Sequence, residues 1–359
     1  MSSKKYYYDV WDDIDAYPEC WCYISYSGRN TGKTYSSLLG AYRRGLSFAF
    51  TKRTNKDVDI LCNASKKVGA AYINMSPWKK ISKNNPDIRV KEVKYMEGIG
   101  GFHNATAEGE AMGEAFGYIF SLNAIGDIKG FEAEVDYLMF DEFIPKPWER
   151  VNRKEGDQFM DLYKTIDRDR IHRGIPPVKC ILTANATEIN NPMFNTLGLV
   201  DIVAEYDHLD EFILIHNKMC IRKVRNNDEF VEKEKQHPVY ESLKDTEWGM
   251  MAFDGSFAYN DFSKIDTKVS LKHSTPVLSF TYKGKENFVY QRNGKYYVTF
   301  SKFNQKGLPS YDLKQETEQK RFWADWVIDL RTACIEGNML FKAYSQYNLI
   351  LNYKDVFRI

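Results

Sequence analysis

Ser27-Gly28-Arg29-Asn30-Thr31-Gly32-Lys33-Thr34 is the stretch on which the reading of this chain turns. Before it, Trp21 to Tyr26 alternates aromatic, β-branched and small side chains as a strand does. After it, Tyr35, Leu38, Leu39 and Tyr42 recur at helical spacing until Gly45 offers a stop. A loop between a strand and a helix is where backbone N–H groups and a helix N-terminus converge on an anion. In that setting Lys33 reaches the β- and γ-phosphates of a nucleotide, and Thr34 offers its hydroxyl to Mg²⁺. The usual spacing opens on glycine, whereas here Ser27 holds that place with Gly28 behind it, so Ser27 is expected to tolerate the turn. The bland alternative is a chance Gly-Lys-Thr at a helix start; the flanking strand and helix favour the phosphate loop.

Working outward, Ser47–Thr51, Phe116–Leu122, Val135–Phe140 and Val178–Thr183 read as further strands, with helical stretches such as Asp157–Ile166 between them. Phe212–Ile221 reads as a last strand. This alternation predicts an α/β fold, a mainly parallel sheet with flanking helices. Tyr137-Leu138-Met139-Phe140-Asp141-Glu142 is an apolar strand ending in two acids, which emerge at the C-terminal edge where such sheets bind ligands. Asp141 would hold the Mg²⁺ hydration shell opposite Thr34, and Glu142 would polarise the water that attacks the γ-phosphate. Two solvated acids opening a loop is the alternative for the pair alone. About a hundred residues and two expected strands separate the pair from the phosphate loop, a spacing that marks translocases and helicases more than small kinases.

At 359 residues the chain has room for a nucleotide-binding domain and a smaller second one. A hydrophobic fraction of 43% with 15% aromatics excludes a disordered chain. No run approaches the length of a membrane span, the first eight residues are unlike a signal peptide, and a cytoplasmic location is expected. The six scattered cysteines make no zinc pattern and are read as reduced and mostly buried. The net charge is only +1, but from Lys272 onward 14 Lys/Arg face 8 Asp/Glu, a balance that suits either nucleic acid or plain solvation. Arg225–Tyr240 turns charged and polar, and from Pro276 hairpins alternate with Lys-Gly-Lys-Glu and Arg-Asn-Gly-Lys turns before a helix over about Glu316–Cys334. The expected division is 1–222, a connector at 223–272, and a small α+β domain at 273–359.

With these residues in view, the chain resembles the DNA-packaging ATPases of the phi29-like phages, relatives of terminase large subunits. The resemblance is carried by the phosphate loop with its internal Arg29, by Phe140-Asp141-Glu142-Phe143-Ile144, by Thr165-Ile166-Asp167-Arg168-Asp169-Arg170, and by Cys180-Ile181-Leu182-Thr183-Ala184-Asn185-Ala186 followed by Asn191-Pro192. It implies a P-loop ATPase using ATP and Mg²⁺. The family forms a homo-oligomeric ring, expected as a pentamer, which docks on the portal of an empty capsid in the host cytoplasm and threads double-stranded DNA inward. A structural RNA in the assembly is compatible with the resemblance; a membrane is not part of it.

Carried over residue by residue, the resemblance makes Ser27 to Thr34 the nucleotide cradle, Lys33 and Thr34 the phosphate and Mg²⁺ ligands, Asp141 the metal partner and Glu142 the catalytic base. It makes Arg168 the arginine that reaches a neighbour's site, with Arg170 as substitute; helix-surface pairing of Arg168 with Asp167 and Asp169, or with carboxylates a turn away, is the alternative. Asn185 is expected to hydrogen-bond Glu142 or else to satisfy a loop. Lys52 and Arg53 could line the nucleotide pocket. Lys56 and Lys129 are candidates to grip DNA, an idle surface charge being the competing reading for each. Larger terminases carry an RNase H-like nuclease as second domain, but Val277–Tyr282 holds no acid for a metal pair. A nuclease-like fold without nuclease activity is expected, in keeping with a group that packages unit-length genomes. Two other functions remain open on sequence: another ring ATPase on nucleic acid, such as a helicase or DNA-transfer motor, and a nucleotide-binding assembly adaptor that does not hydrolyse.

Overall fold

The computed structural model describes residues 7–62, 66–68, 71–73, 76–124, 134–225 and 228–359. They fall into two compact units, Met1–Leu197 with Asp207–Tyr259, and Gly198–Tyr206 with Asn260–Ile359. Lys129 lies outside the described residues. Among the described residues no helix is long and apolar enough to cross a membrane.

The first unit runs α1 (Val10–Ala16), β1 (Cys22–Ser27), α2 (Lys33–Arg43), β2 (Phe48–Lys52), α3 (Asn55–Cys62), a short hairpin of β3 (Lys66–Val68) and β4 (Ala71–Ile73), then α4 (Trp78–Asn84). It continues through β5 (Val90–Met96), β6 (Ile99–Ala105), β7 (Ala111–Ser121), β8 (Tyr137–Asp141), α5 (Glu155–Ile166), β9 (Lys179–Asn185) and α6 (Pro192–Leu197). After α7 (Val200–Tyr206), which belongs to the second unit, come β10 (Phe212–His216), β11 (Met219–Lys223), α8 (Asp228–Lys235), α9 (Pro238–Leu243) and α10 (Glu247–Gly249). The last of these runs into a π-helical turn, Met250–Asp254.

Nine of the described strands of this unit form one sheet in the order β10-β11-β1-β9-β8-β2-β7-β6-β5, while β3 and β4 pair only with each other. Its six central strands, β11 to β7, are parallel, while β10 at one edge and β6-β5 at the other are antiparallel. Every residue of β1 is buried, as are four of five in β2 and in β8, which is what a sheet covered on both faces requires. The expected strand at 212–221 is two strands: Asn217 and Lys218 take left-handed φ values of 48° and 56° and fold it into a hairpin. Among the described residues, six strands rather than two lie in sequence between the phosphate loop and the acid pair. The expected connector, 223–272, holds α8, α9, α10 and the π turn; its part up to Tyr259 belongs to the first unit, its remainder to the second.

In the second unit β12 (Thr275–Tyr282), β13 (Lys285–Arg292) and β14 (Lys295–Thr299) form an antiparallel meander through Lys283-Gly284 and Asn293-Gly294, whose φ values are all positive. Beside β12 lies β15 (Ser310–Asp312), and beside β14 lies β16 (Met339–Phe341), both parallel to their neighbours. A helical run over α11 (Glu316–Phe322), a π turn and α12 (Ile328–Ile335), followed by α13 (Tyr344–Leu351) and α14 (Tyr353–Phe357), completes it. Phe322 packs between Phe280, Tyr311 and Tyr353, and the buried Gln346 amide donates to Asn287 at 2.9 Å.

On one face of the large sheet Trp78 is 1% exposed, its ring 5.4 Å from that of Phe116 and 5.8 Å from those of Phe102 and Tyr42. Among the described residues its indole N–H has no partner. Trp78→Ala is therefore expected to lower the unfolding free energy by about 3–5 kcal/mol in a denaturant titration. Trp78→Phe, which keeps a ring and deletes the unpaired N–H, should cost distinctly less. Equal losses for the two would show that ring packing is not what this residue supplies.

Candidate nucleotide site

β1 delivers the phosphate loop to the C-terminal edge of the parallel strands, between β11 and β9. Ser27 is fully buried, its hydroxyl donating to the Gly28 carbonyl at 2.8 Å and lying 2.8 Å from the Thr31 hydroxyl. The left-handed positions of the loop are Asn30, φ 61°, and Gly32, φ 92°, so Ser27 does not bear the turn. Gly28 serves a close approach instead: a Cβ there would come within 2.5 Å of the Ala252 carbonyl oxygen.

Lys33 opens α2 and curls over its own loop, donating to the Ser27 hydroxyl, to the Gly28 carbonyl at 3.1 Å and to the Thr31 hydroxyl at 3.0 Å. Burial pushes its ammonium down to about 7, against the pull of Asp141 and Glu142. From β8, Asp141 accepts from the Thr34 hydroxyl at 2.8 Å and from the Thr183 hydroxyl of β9 at 2.8 Å. Lys52, at the end of β2, lies 3.3 Å from its other oxygen. Burial alone would raise the Asp141 carboxyl; Lys52 and the two hydroxyls outweigh it and hold the group below the usual carboxylate range.

Glu142 is exposed at the rim with φ 57°, a left-handed backbone that costs a non-glycine residue about 1–2 kcal/mol. Arg53 holds that backbone in place, donating to the carbonyls of Glu142 at 3.0 Å and Phe143 at 3.2 Å. The same guanidinium pairs with Glu155 at 2.6 Å and Glu149 at 3.2 Å. Burial raises the Glu155 carboxyl in spite of Arg53. Asn185, the last residue of β9, lines the same pocket as Glu142, Asp141 and the loop from Arg29 to Tyr35, a volume of about 290 Å³.

The structure thus brings together Ser27 to Thr34, Asp141, Glu142 and Asn185. It adds Thr183, whose hydroxyl at the end of an apolar strand carried a readable polar signal, and Glu155, which nothing in the pattern of its own helix marked out. Arg168 stands apart from them, three-quarters exposed, its Nε 3.8 Å from Asp169. Asp167 is buried and accepts from the Val178 amide at 2.8 Å, so it is not the partner expected for Arg168. Arg170, expected as a substitute for Arg168, is 5% exposed and donates to the carbonyls of Pro176 at 2.7 Å and Val135 at 2.9 Å. Its guanidinium fastens a corner of the fold and does not project outward. Lys56 is exposed in the first turn of α3.

In the sheet, β9 lies between β1, which carries the loop with Lys33 and Thr34, and β8, which carries the acid pair, within a large and mostly parallel sheet. Across its full length the chain is similar to a chain of the bacteriophage Phi-29 viral genome packaging motor assembly, at 18% identity over 99% of both chains and a TM-score of 0.62. It is likewise similar to the Phi-28 gp11 DNA packaging motor, at 16% identity over 98% of both and a TM-score of 0.59. At these identities the likeness fixes the fold. No protein-family model and no curated protein sequence matches the chain.

An anion seated against Lys33 favours its charged form, so polyphosphate binding should take up a proton wherever the free lysine is neutral, between about pH 7 and the ordinary lysine value of 10.5. Affinity should then fall about tenfold per pH unit through that window. Calorimetry with tripolyphosphate at pH 9, in two buffers of different ionisation heat, should report an uptake approaching one proton, absent in Lys33→Arg. Heats independent of buffer would mean that Lys33 is already charged.

Proposed function

We propose that this chain is an ATP-driven translocase that packages double-stranded viral DNA into an empty capsid through its portal. The observation that carries this reading is the 2.8 Å hydrogen bond from Thr34 to Asp141, which joins a phosphate loop to an acid pair in a fold shared end to end with packaging-motor chains. In this reading the backbone from Ser27 to Thr34 cradles the phosphates and Lys33 turns from its own loop onto the β- and γ-phosphates. Thr34 and Asp141 suit Mg²⁺, one a neutral hydroxyl oxygen and the other a carboxylate held ionised by Lys52. Thr34 and Asp141 are the residues that would hold the ion, which would supply neutralisation of the charge developing on the phosphates.

Glu142 accepts the proton of the attacking water, its backbone fixed by Arg53 while its side chain stays exposed to the pocket. Asn185 shares that rim and is placed to orient the Glu142 carboxylate. Arg168, exposed and making a long contact to Asp169, serves a neighbouring subunit in a homo-oligomeric ring, a pentamer by resemblance, where it stabilises charge on the transferred phosphate. The ring docks on the capsid portal in the host cytoplasm, with Lys56 facing DNA. The second unit we read as RNase H-like and without nuclease chemistry: β12 opens a meander as such a domain would, yet Thr275–Tyr282 carries no Asp or Glu.

Glu142→Gln is expected to bind ATP within a few-fold of wild type while losing at least about 10²-fold in turnover, because an amide cannot take the proton. Wild-type turnover should rise only when double-stranded DNA and empty capsids are both present. Hydrolysis unchanged in Glu142→Gln would remove the base, and full stimulation by DNA alone would favour a helicase.

Arg168→Ala subunits should be inactive alone and partly restored by mixing with Lys33→Ala subunits, since the two lesions then fall on opposite sides of one shared interface. Activity of the mixtures that never exceeds the sum of the separate variants, at any ratio, would argue against an arginine acting in trans.

A further inference from the structure

The phosphate pocket is suited to phosphates and to little else: it is lined by the loop from Arg29 to Thr34 and by Asp141, Glu142, Ala184 and Asn185, with Tyr35 its single ring among the described residues. Beside it opens a second cavity of about 540 Å³, walled by the helical run from α8 to the π turn. The two share Arg29 and Asn30, so a ligand can extend from one into the other without leaving the protein surface. We propose that this second cavity takes the base and ribose of the nucleoside triphosphate, with a purine stacking on the Trp248 ring, which Phe253 and Tyr240 buttress. The proposal rests on the reading of the chain as an ATPase and adds the part of the substrate that its phosphate site does not recognise.

Three observations carry it. The rings already form a cluster, Tyr240 and Phe253 with centroids 4.8 Å apart and Trp248 and Phe253 5.9 Å apart, and stacking of a base on such rings contributes about 1–3 kcal/mol. Two carboxylates of the same wall, Glu234 and Asp254, are acceptors for ribose hydroxyls or an exocyclic amine. Finally, the wall is locked to the phosphate loop backbone to backbone: the Arg29 amide donates to the Ala252 carbonyl at 2.8 Å, and the Arg29 guanidinium lies 5.9 Å from the centre of the Trp248 ring. Gly28 and Gly255 are both needed for this approach, since a Cβ on Gly255 would come within 2.4 Å of the Gly28 nitrogen.

A competing exit for the base lies past Gly32 and Tyr35, in a cavity of about 300 Å³ next to Trp11. Its polar groups are already engaged, the Trp11 indole with the Ser36 carbonyl at 2.9 Å and Arg44 with Asp15 at 2.7 Å. It offers a base less to bind.

Irradiating the full chain with Mg²⁺ and 8-azidoadenosine triphosphate, then mapping the labelled peptides, is expected to place the label within 224–255. Label within 7–44 instead overturns the proposal, and this measurement needs no variant. In calorimetric titrations Trp248→Ala should weaken ATP about tenfold while changing the affinity of inorganic tripolyphosphate by less than about twofold, and Trp248→Phe should recover most of the loss. Unchanged ATP affinity in Trp248→Ala, or equal losses for ATP and tripolyphosphate, overturns it as well, the latter because the run would then only support the loop. If Lys33→Ala leaves both affinities intact, the phosphate site and with it the ATPase reading fall, an outcome distinct from a misplaced label.

Discussion

The hydrogen bond between Thr34 and Asp141 joins residues 107 positions apart, and most of the first unit is arranged so that it can form. Asp141 comes from β8, two places from β1 in the sheet, and β9 between them contributes Thr183 to the same carboxylate oxygen. A carboxylate taken out of water costs several kcal/mol unless it is paired and hydrogen-bonded, so Lys52, from the far neighbour of β8, is as much a condition of the fold as of the site. Four parallel strands therefore have to end at one edge in one register. These four strands are buried along nearly their whole length, as cover on both faces requires, while the antiparallel edge strands β5 and β10 are not.

The parts of this arrangement that the sequence displays are those where one residue's chemistry needs no knowledge of its neighbours. The phosphate loop, the apolar strand ending in two acids and the strand ending at Asn185 are each local patterns, and their residues meet as the patterns require. The type I′ hairpins of the second unit were equally readable, because Lys-Gly and Asn-Gly declare their left-handed backbones. Strand order was not readable, and neither was the β5–β6 pair: Val90-Lys91-Glu92-Val93-Lys94 mixes charges, and Gly100-Gly101 interrupts the next strand. Such strands are decided by the sheet edge they join. Arg170 shows the opposite error, since an arginine in a motif says nothing of whether its guanidinium points outward or, as here, satisfies two carbonyls indoors.

Strain in the site is concentrated where a function has been assigned on other grounds. Glu142 is the acid of the pair whose side chain is exposed, and its backbone is left-handed. A residue in that conformation persists only if the surroundings over-determine it. Arg53 does this by holding two successive carbonyls, and it is in turn fixed by Glu155, whose own carboxyl is nearly buried. Position is thus transmitted from α5 through one guanidinium to the loop that presents Glu142. Lysine in place of Arg53 could not span the same set, because a single ammonium lacks the fork that reaches two carbonyls and a carboxylate together.

The helical run after β11 is where sequence and structure part most widely, and the reason is physical. Charged and polar residues with little apolar periodicity read as a connector, and α8 and α9 bury only Phe230 between them. The run is held instead through backbone: Ala252 takes the Arg29 amide, and two glycines allow main chain to touch main chain. An amide given to Ala252 is an amide withheld from an anion, so the loop presents its donors from Asn30 onward as long as the run stays in place. The contact falls in a π-helical turn, where one residue of slack is already built into the helix and a change of register is local. Any shift of the run therefore alters the donor set of the phosphate loop, and any ligand that pulls on the Arg29 amide pulls on the run. The segment after β11 is thus fastened to the candidate nucleotide site through main chain rather than through a packed apolar face.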